Sequence, residues 1–146
     1  MFTFRLQSVL DVRQAMEEKA LVAFSDERRR LTEEEEILAA LLRERVSHVE
    51  ELREASHRSL RADHITLLVS YLDILRKKID TQQQVVRRAT LAVETKRAEL
   101  LEAVKKKKVM ERLKEKHLAE FRWEMGARER RDLDEMAVLR FAGSEE

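Results

Sequence analysis

From Met1 to Met125 the chain contains neither glycine nor proline; Gly126 and Gly143 are its two glycines, and proline is absent throughout. Tight turns use backbone angles that glycine reaches without strain or that proline presets, so a chain nearly without them has few ways to reverse direction. A sheet would need recurrent turns, and none is written here. What remains is long helix drawn from strong helix formers. Charged residues make up 40% and aromatic residues 5%, a composition shared by long helices and coiled coils. Unfolded chains can share it too. Against that reading, hydrophobic residues reach 43%, they recur at helical spacing, and a net charge of +1 gives no large self-repulsion. Fraying is expected only over residues 143–146.

Two periodic segments are legible, and together they form one coiled-coil domain over residues 1–146. The first covers about residues 4–55. Leu10, Ala20, Phe24, Leu31, Leu38, Leu41 and Leu52 fit one heptad frame, interrupted by polar Glu17, Arg45 and His48. Thr32-Glu33-Glu34-Glu35 has the form of a capping box, yet with no glycine or proline nearby a continuous helix is expected. The pattern is weakest over about residues 56–63, the expected hinge, with Asp63 as cap of the next helix. The second segment covers about residues 64–141. Leu68, Leu72, Leu75, Ile79, Gln82, Val86, Ala89, Val93, Lys96 and Leu100 alternate in steps of four and three, the seam of a coiled coil. The expected fold is therefore all-α, a long two-helix antiparallel hairpin.

Helix geometry then places the ends. At ~1.5 Å per residue the second segment spans on the order of 110 Å. A fold-back near residue 60 sets Phe4 close to residue 116 and leaves Leu118 to Phe141 beyond the first helix. That overhang carries Phe121, Trp123, Met125, Leu133, Met136, Leu139 and Phe141. Apolar groups on an unpaired helix need another surface, and Trp123, the sole tryptophan, reads there as an interface residue.

Catalytic chemistry finds no foothold. Cysteine is absent, which removes thiolate nucleophiles, disulfides and cysteine metal sites. The histidines His48, His57, His64 and His117 do not make the i,i+4 pair of a helical zinc site. A convex helical surface offers no dry pocket in which to tune an acid–base pair, and no glycine-rich loop could cradle phosphates. The basic runs Arg28-Arg29-Arg30 and Lys105-Lys106-Lys107-Lys108 spread around a helix and are offset by nearby glutamates, so solvated surface or an acidic protein partner fits them better than nucleic acid. No stretch approaches the ~18 apolar residues of a membrane span, and the opening lacks an apolar segment of signal-peptide type. A soluble, cytoplasmic, non-enzymatic protein without cofactor, metal or small-molecule substrate is expected.

The order of several short motifs resembles the FliJ-type flagellar export proteins. The opening Phe4-Arg5-Leu6-Gln7-Ser8-Val9-Leu10-Asp11-Val12-Arg13 with Glu17-Glu18 is similar to that family's start. Tyr71-Leu72-Asp73-Ile74-Leu75, then Ile79 and Gln82, resembles its middle. Thr95 to Ala103, Lys106 to Lys116, and Arg131-Asp132-Leu133-Asp134-Glu135-Met136-Ala137 are similar to its second half and C-terminal signature.

The resemblance implies an antiparallel coiled coil like the stalk of rotary ATPases. It implies a cytoplasmic part of the flagellar type III export apparatus, peripheral to the inner face of the cell membrane, acting as chaperone or escort. Its implied partners are the hexameric export ATPase, the cytoplasmic domain of the export-gate membrane protein, and export chaperones. By family placement the gate contact falls on Tyr71, Leu75, Lys78 and Gln82, with Leu72 and Ile79 stabilising the hairpin. Lys78 and Gln82 depart from the aliphatic or aromatic character of such a stripe. The ring contact falls on the overhang, with Trp123 and Met136 as anchors and Arg128, Arg130 and Arg131 as charged contacts. A stalk protein of a non-flagellar type III system and a structural coiled-coil scaffold are the alternatives.

Overall fold

The computed structural model describes residues 1–58 and 61–145. Two helices hold nearly all of them, α1 (Gln7–His57) and α2 (Ala62–Gly143). No strand occurs among the described residues. The all-α antiparallel hairpin expected from the heptads is the fold that forms.

The helix ends follow local hydrogen bonding. Phe4 lies in the turn leading into α1, and its carbonyl accepts the Gln7 N–H at 3.1 Å. Thr32 does not cap a new helix: its hydroxyl donates to the Arg28 carbonyl at 3.1 Å, and α1 runs on unbroken. α2 opens from Arg61, whose carbonyl accepts from His64 at 3.0 Å and Ile65 at 3.3 Å. Asp63 therefore sits inside the first turn rather than before it, where its charge favours the positive end of the helix dipole. Between the helices stand residues 58–61, at the centre of the expected hinge; Ser59 and Leu60 lie outside the described residues. At the other end the Ser144 N–H reaches the carbonyls of Arg140 and Phe141, and its hydroxyl donates to Phe141 at 2.8 Å. Of the stretch expected to fray, Glu146 lies outside the described residues.

Packing divides the chain into two units, each drawn from both helices: Lys19–Leu101, and Met1–Glu18 with Glu102–Glu146. Within Lys19–Leu101, Phe24 meets Arg97, Glu34 meets Gln82 and Glu44 meets Tyr71, so partners descend α2 as one ascends α1. Its buried seam is Ala55, Leu68, Leu75, Ile79, Ala89 and Val93, and Leu72, Gln82, Val86, Lys96 and Leu100 are half-buried along the same line. Leu75 and Ile79 are the most enclosed, at 1% and 2% exposure. Burial of each contributes about 1.5–3 kcal/mol.

Within Met1–Glu18 and Glu102–Glu146 the direction is the same: Phe2 meets Phe121, Phe4 meets His117 and Glu17 meets Lys107. Phe4 and Leu10 are buried there. The Glu17 interruption of the heptads thus has an ionic partner in the seam, 3.4 Å away, while Arg45 simply points to solvent.

Candidate partner-binding surfaces

The C-terminal part of α2 presents an unpartnered apolar surface. Every described residue from Arg128 onward is exposed. Leu133, Val138, Leu139 and Phe141 are each about two-thirds exposed and Met136 about half. They do not form one stripe. Leu133, Met136, Ala137 and Phe141 line one shallow groove, while Val138 and Leu139 line another beside Asp134 and Glu135. A helix apolar on several sides is normally enclosed by other chain. Trp123 is 70% exposed, and Arg128, Arg130 and Arg131 are open to solvent.

The unpartnered stretch begins later than helix counting placed it. Leu118 and Phe121 are half-buried, and the Phe121 ring lies 5.5 Å from that of Phe2. Residues before α1 cover this part of α2, an extension that counting from Phe4 did not include. Phe4 itself packs edge-on against His117, with centroids 5.6 Å apart, one residue from its expected position.

The residues placed on the gate by resemblance occupy different environments. Leu75 is enclosed against α1 and offers no side-chain surface to a second protein while the hairpin is closed. Lys78 is exposed. Gln82 is half-buried, and its amide donates to the Glu34 carbonyl and carboxylate. Tyr71 is half-buried, donates its hydroxyl to Glu44 and packs edge-on against His48, with centroids 4.6 Å apart. The bond to Glu44, then burial, then the Glu44 charge raise the Tyr71 pKa above its ordinary 10.0, because each favours the neutral phenol. A shallow groove lined by Leu41, Ile74, Lys78 and Gln82 runs beside these residues, and Ile74 is half exposed. Ile74 is the apolar residue available at this surface that family placement passed over; its i−1 position beside a buried Leu75 is the signal.

His48 is the other residue that spacing undervalued. It contacts Glu51 at 3.1 Å and Glu44 at 3.8 Å as well as Tyr71. Glu44, His48 and Glu51 fall at i, i+4 and i+7, which places them on one face of α1. Among the described residues no group of three or more histidine, aspartate or glutamate side chains is arranged to hold a metal ion. Among the described residues no helix is long and apolar enough to cross a membrane.

Comparison with known proteins adds sequence and fold relationships. The model of the family described as flagellar FliJ protein matches residues 1–146. No protein with a curated description matches the chain. Among solved structures the chain is similar to CT670 from Chlamydia trachomatis, described as a candidate YscO homolog. The two are 24% identical, the match covers 95% of this chain and 94% of that one, and the TM-score is 0.64. At that identity the likeness speaks for the fold alone.

Proposed function

The chain belongs to the flagellar FliJ protein family, and on that premise we propose that it is a stalk and escort of flagellar protein export that engages the hexameric export ATPase and the export gate. Membership supports a role in the export apparatus; the partner surfaces are our reading of the geometry. The observation that carries it is the exposed tip of α2, apolar on several sides from Leu133 to Phe141. A helix of that kind suits a socket that surrounds it better than a flat surface, and the opening of a ring is such a socket. Trp123 and Met136 are the proposed anchors, and Arg128, Arg130 and Arg131 make looser ionic contacts. The anchors carry more of the affinity, because desolvated aromatic and apolar groups dominate interfaces while exposed ion pairs contribute little.

The gate contact is proposed on the surface formed by the accessible edges of Tyr71, Lys78 and Gln82, with Leu75 holding them from beneath. Export chaperones are further proposed partners. The site of action is the cytoplasm, peripheral to the inner face of the cell membrane.

Truncation tests the ring contact. Because Phe121 packs on Phe2, the cut belongs after Ala127 rather than before Leu118. The shortened chain keeps Trp123 but lacks Met136, the three arginines and the apolar tip, so it is expected to keep its helical hairpin and to lose most of its association with the ATPase and of any stimulation of ATP hydrolysis. Binding and hydrolysis equal to those with the full chain would refute the tip as the contact.

A further inference from the structure

In the unit formed by Met1–Glu18 and Glu102–Glu146, the side of α2 turned away from α1 has a charge pattern of its own. Lys107, His117 and Phe121 face α1, against Glu17, Phe4 and Phe2. On the opposite side stand Lys105, Lys108, Val109, Arg112, Lys116 and Trp123, all exposed. The steps between the basic residues and Trp123 are three, four, four and seven, which keeps them in one line along the helix. Lys105 and Trp123 are five turns apart and so point the same way.

No acidic residue falls on this line. Glu102 and Glu120 border it on one side and Glu115 on the other, each about 60–80° away around the helix axis. With a net charge of +1 for the chain, the stripe is a local segregation of charge rather than a consequence of a basic protein. Among the described residues one ion pair reaches it, Lys105 with Glu102 at 3.7 Å. Both side chains are well exposed, so the pair competes weakly with a new partner.

We infer that this stripe docks an acidic amphipathic helix of another protein. Lys108, Arg112 and Lys116 face its carboxylates, and Trp123 covers an apolar residue at one end. The width of the stripe selects this occupant. A partner helix about 10–12 Å across centres on the basic line and leaves the bordering glutamates at the margin of the contact. A flat anionic bilayer would bring Glu102, Glu115 and Glu120 against lipid head groups as well. It would find only Val109, Ala119 and Trp123 to insert, far less than the apolar face of an interfacial helix. This surface shares Trp123 with the proposed ring contact, but its basic residues Lys105, Lys108, Arg112 and Lys116 belong to neither the tip nor the middle patch, and substituting them tests the stripe without touching the ring anchors.

Trp123 is the sole tryptophan, so its fluorescence reports directly on the stripe. The full chain is titrated with a helical peptide of repeated Glu-Leu-Ala-Glu-Glu-Ala-Leu heptads, with a control peptide carrying Lys for every Glu, and with phosphatidylserine vesicles. The acidic peptide is expected to give a saturable blue shift that weakens as salt rises, and the control none. Combined Lys108→Glu, Arg112→Glu and Lys116→Glu substitution should lower the affinity at least tenfold with unchanged circular dichroism. The corresponding glutamine variant should fall between, and it serves alone if the glutamate variant folds poorly. Equal affinity in the substituted chains, an equal response to the control peptide, or a response to vesicles without one to the acidic peptide would each overturn the inference.

Discussion

The Gln82 amide nitrogen donates to two oxygens of Glu34, the main-chain carbonyl at 3.0 Å and the carboxylate at 2.6 Å. A polar residue thus occupies a seam position between Ile79 and Val86 and finds its partner on the facing helix. Such a contact sets register, because sliding either helix by one turn strands the amide. Gln82→Ala should lower stability by about 1–2 kcal/mol, the scale of lost hydrogen bonds at a half-buried site. Gln82→Leu should recover most of that by apolar packing while loosening register. Urea unfolding followed by circular dichroism measures the first effect. Spin labels near residues 34 and 82 measure the second, and an unbroadened distance distribution in Gln82→Leu would argue against a register role.

Leu75 and Lys78 separate packing from recognition. Leu75→Ala should cost about 2–5 kcal/mol, since it opens space at one of the two most enclosed side chains. Loss of gate binding in that variant would follow from a loosened hairpin. Lys78→Glu lies on the surface and should change stability by no more than about 0.5 kcal/mol. Weaker binding of the gate domain by Lys78→Glu, with an unchanged unfolding midpoint, is the expected result. Gate affinity equal to wild type would remove Lys78 from the contact.

The Tyr71–Glu44 bond makes the hairpin sensitive to alkali. The folded state raises the Tyr71 pKa above 10.0, its unfolded value, chiefly because the hydroxyl donates to Glu44. A raised pKa means that the folded chain binds the proton more tightly than the unfolded chain. This stabilisation is full below pH 10.0 and is lost as the pH rises through the folded-state value. As the sole tyrosine, Tyr71 can be titrated directly by phenolate absorbance. Tyr71→Phe should remove this part of the alkaline destabilisation, and Glu44→Gln should return the phenol toward its ordinary range. A titration indifferent to Glu44→Gln would sink the assignment.

Gly126 has no packing reason to be glycine. A methyl group built there meets only the Arg130 guanidinium, at 4.0 Å. Glycine inside a helix costs about 0.5–1 kcal/mol relative to alanine. Gly126→Ala should therefore slow hydrogen exchange in the turns around Trp123 to Arg130 and leave the seam untouched. If the tip must bend to enter a partner, the same variant should bind the ATPase more weakly; equal affinity would show that a straight helix suffices.

The sequence by itself determined helix, seam and approximate register. Without proline, and with glycine confined to positions 126 and 143, the chain had no means of turning often, and the four–three alternation from Leu68 to Leu100 named residues that are buried or half-buried throughout. Those signals are local, because helix periodicity is written within a few turns. Tertiary structure decided what the polar interruptions meant. Glu17 and His48 read as interruptions of the heptads until Lys107 and Tyr71 stood opposite them, and the seam position of Gln82 gained its meaning from Glu34 on the facing helix. It also decided that Leu75 faces α1 and that Phe2 shields Phe121. Both depend on how one helix is rotated against the other and on chain outside the helices, and neither quantity has a period that a single sequence can display.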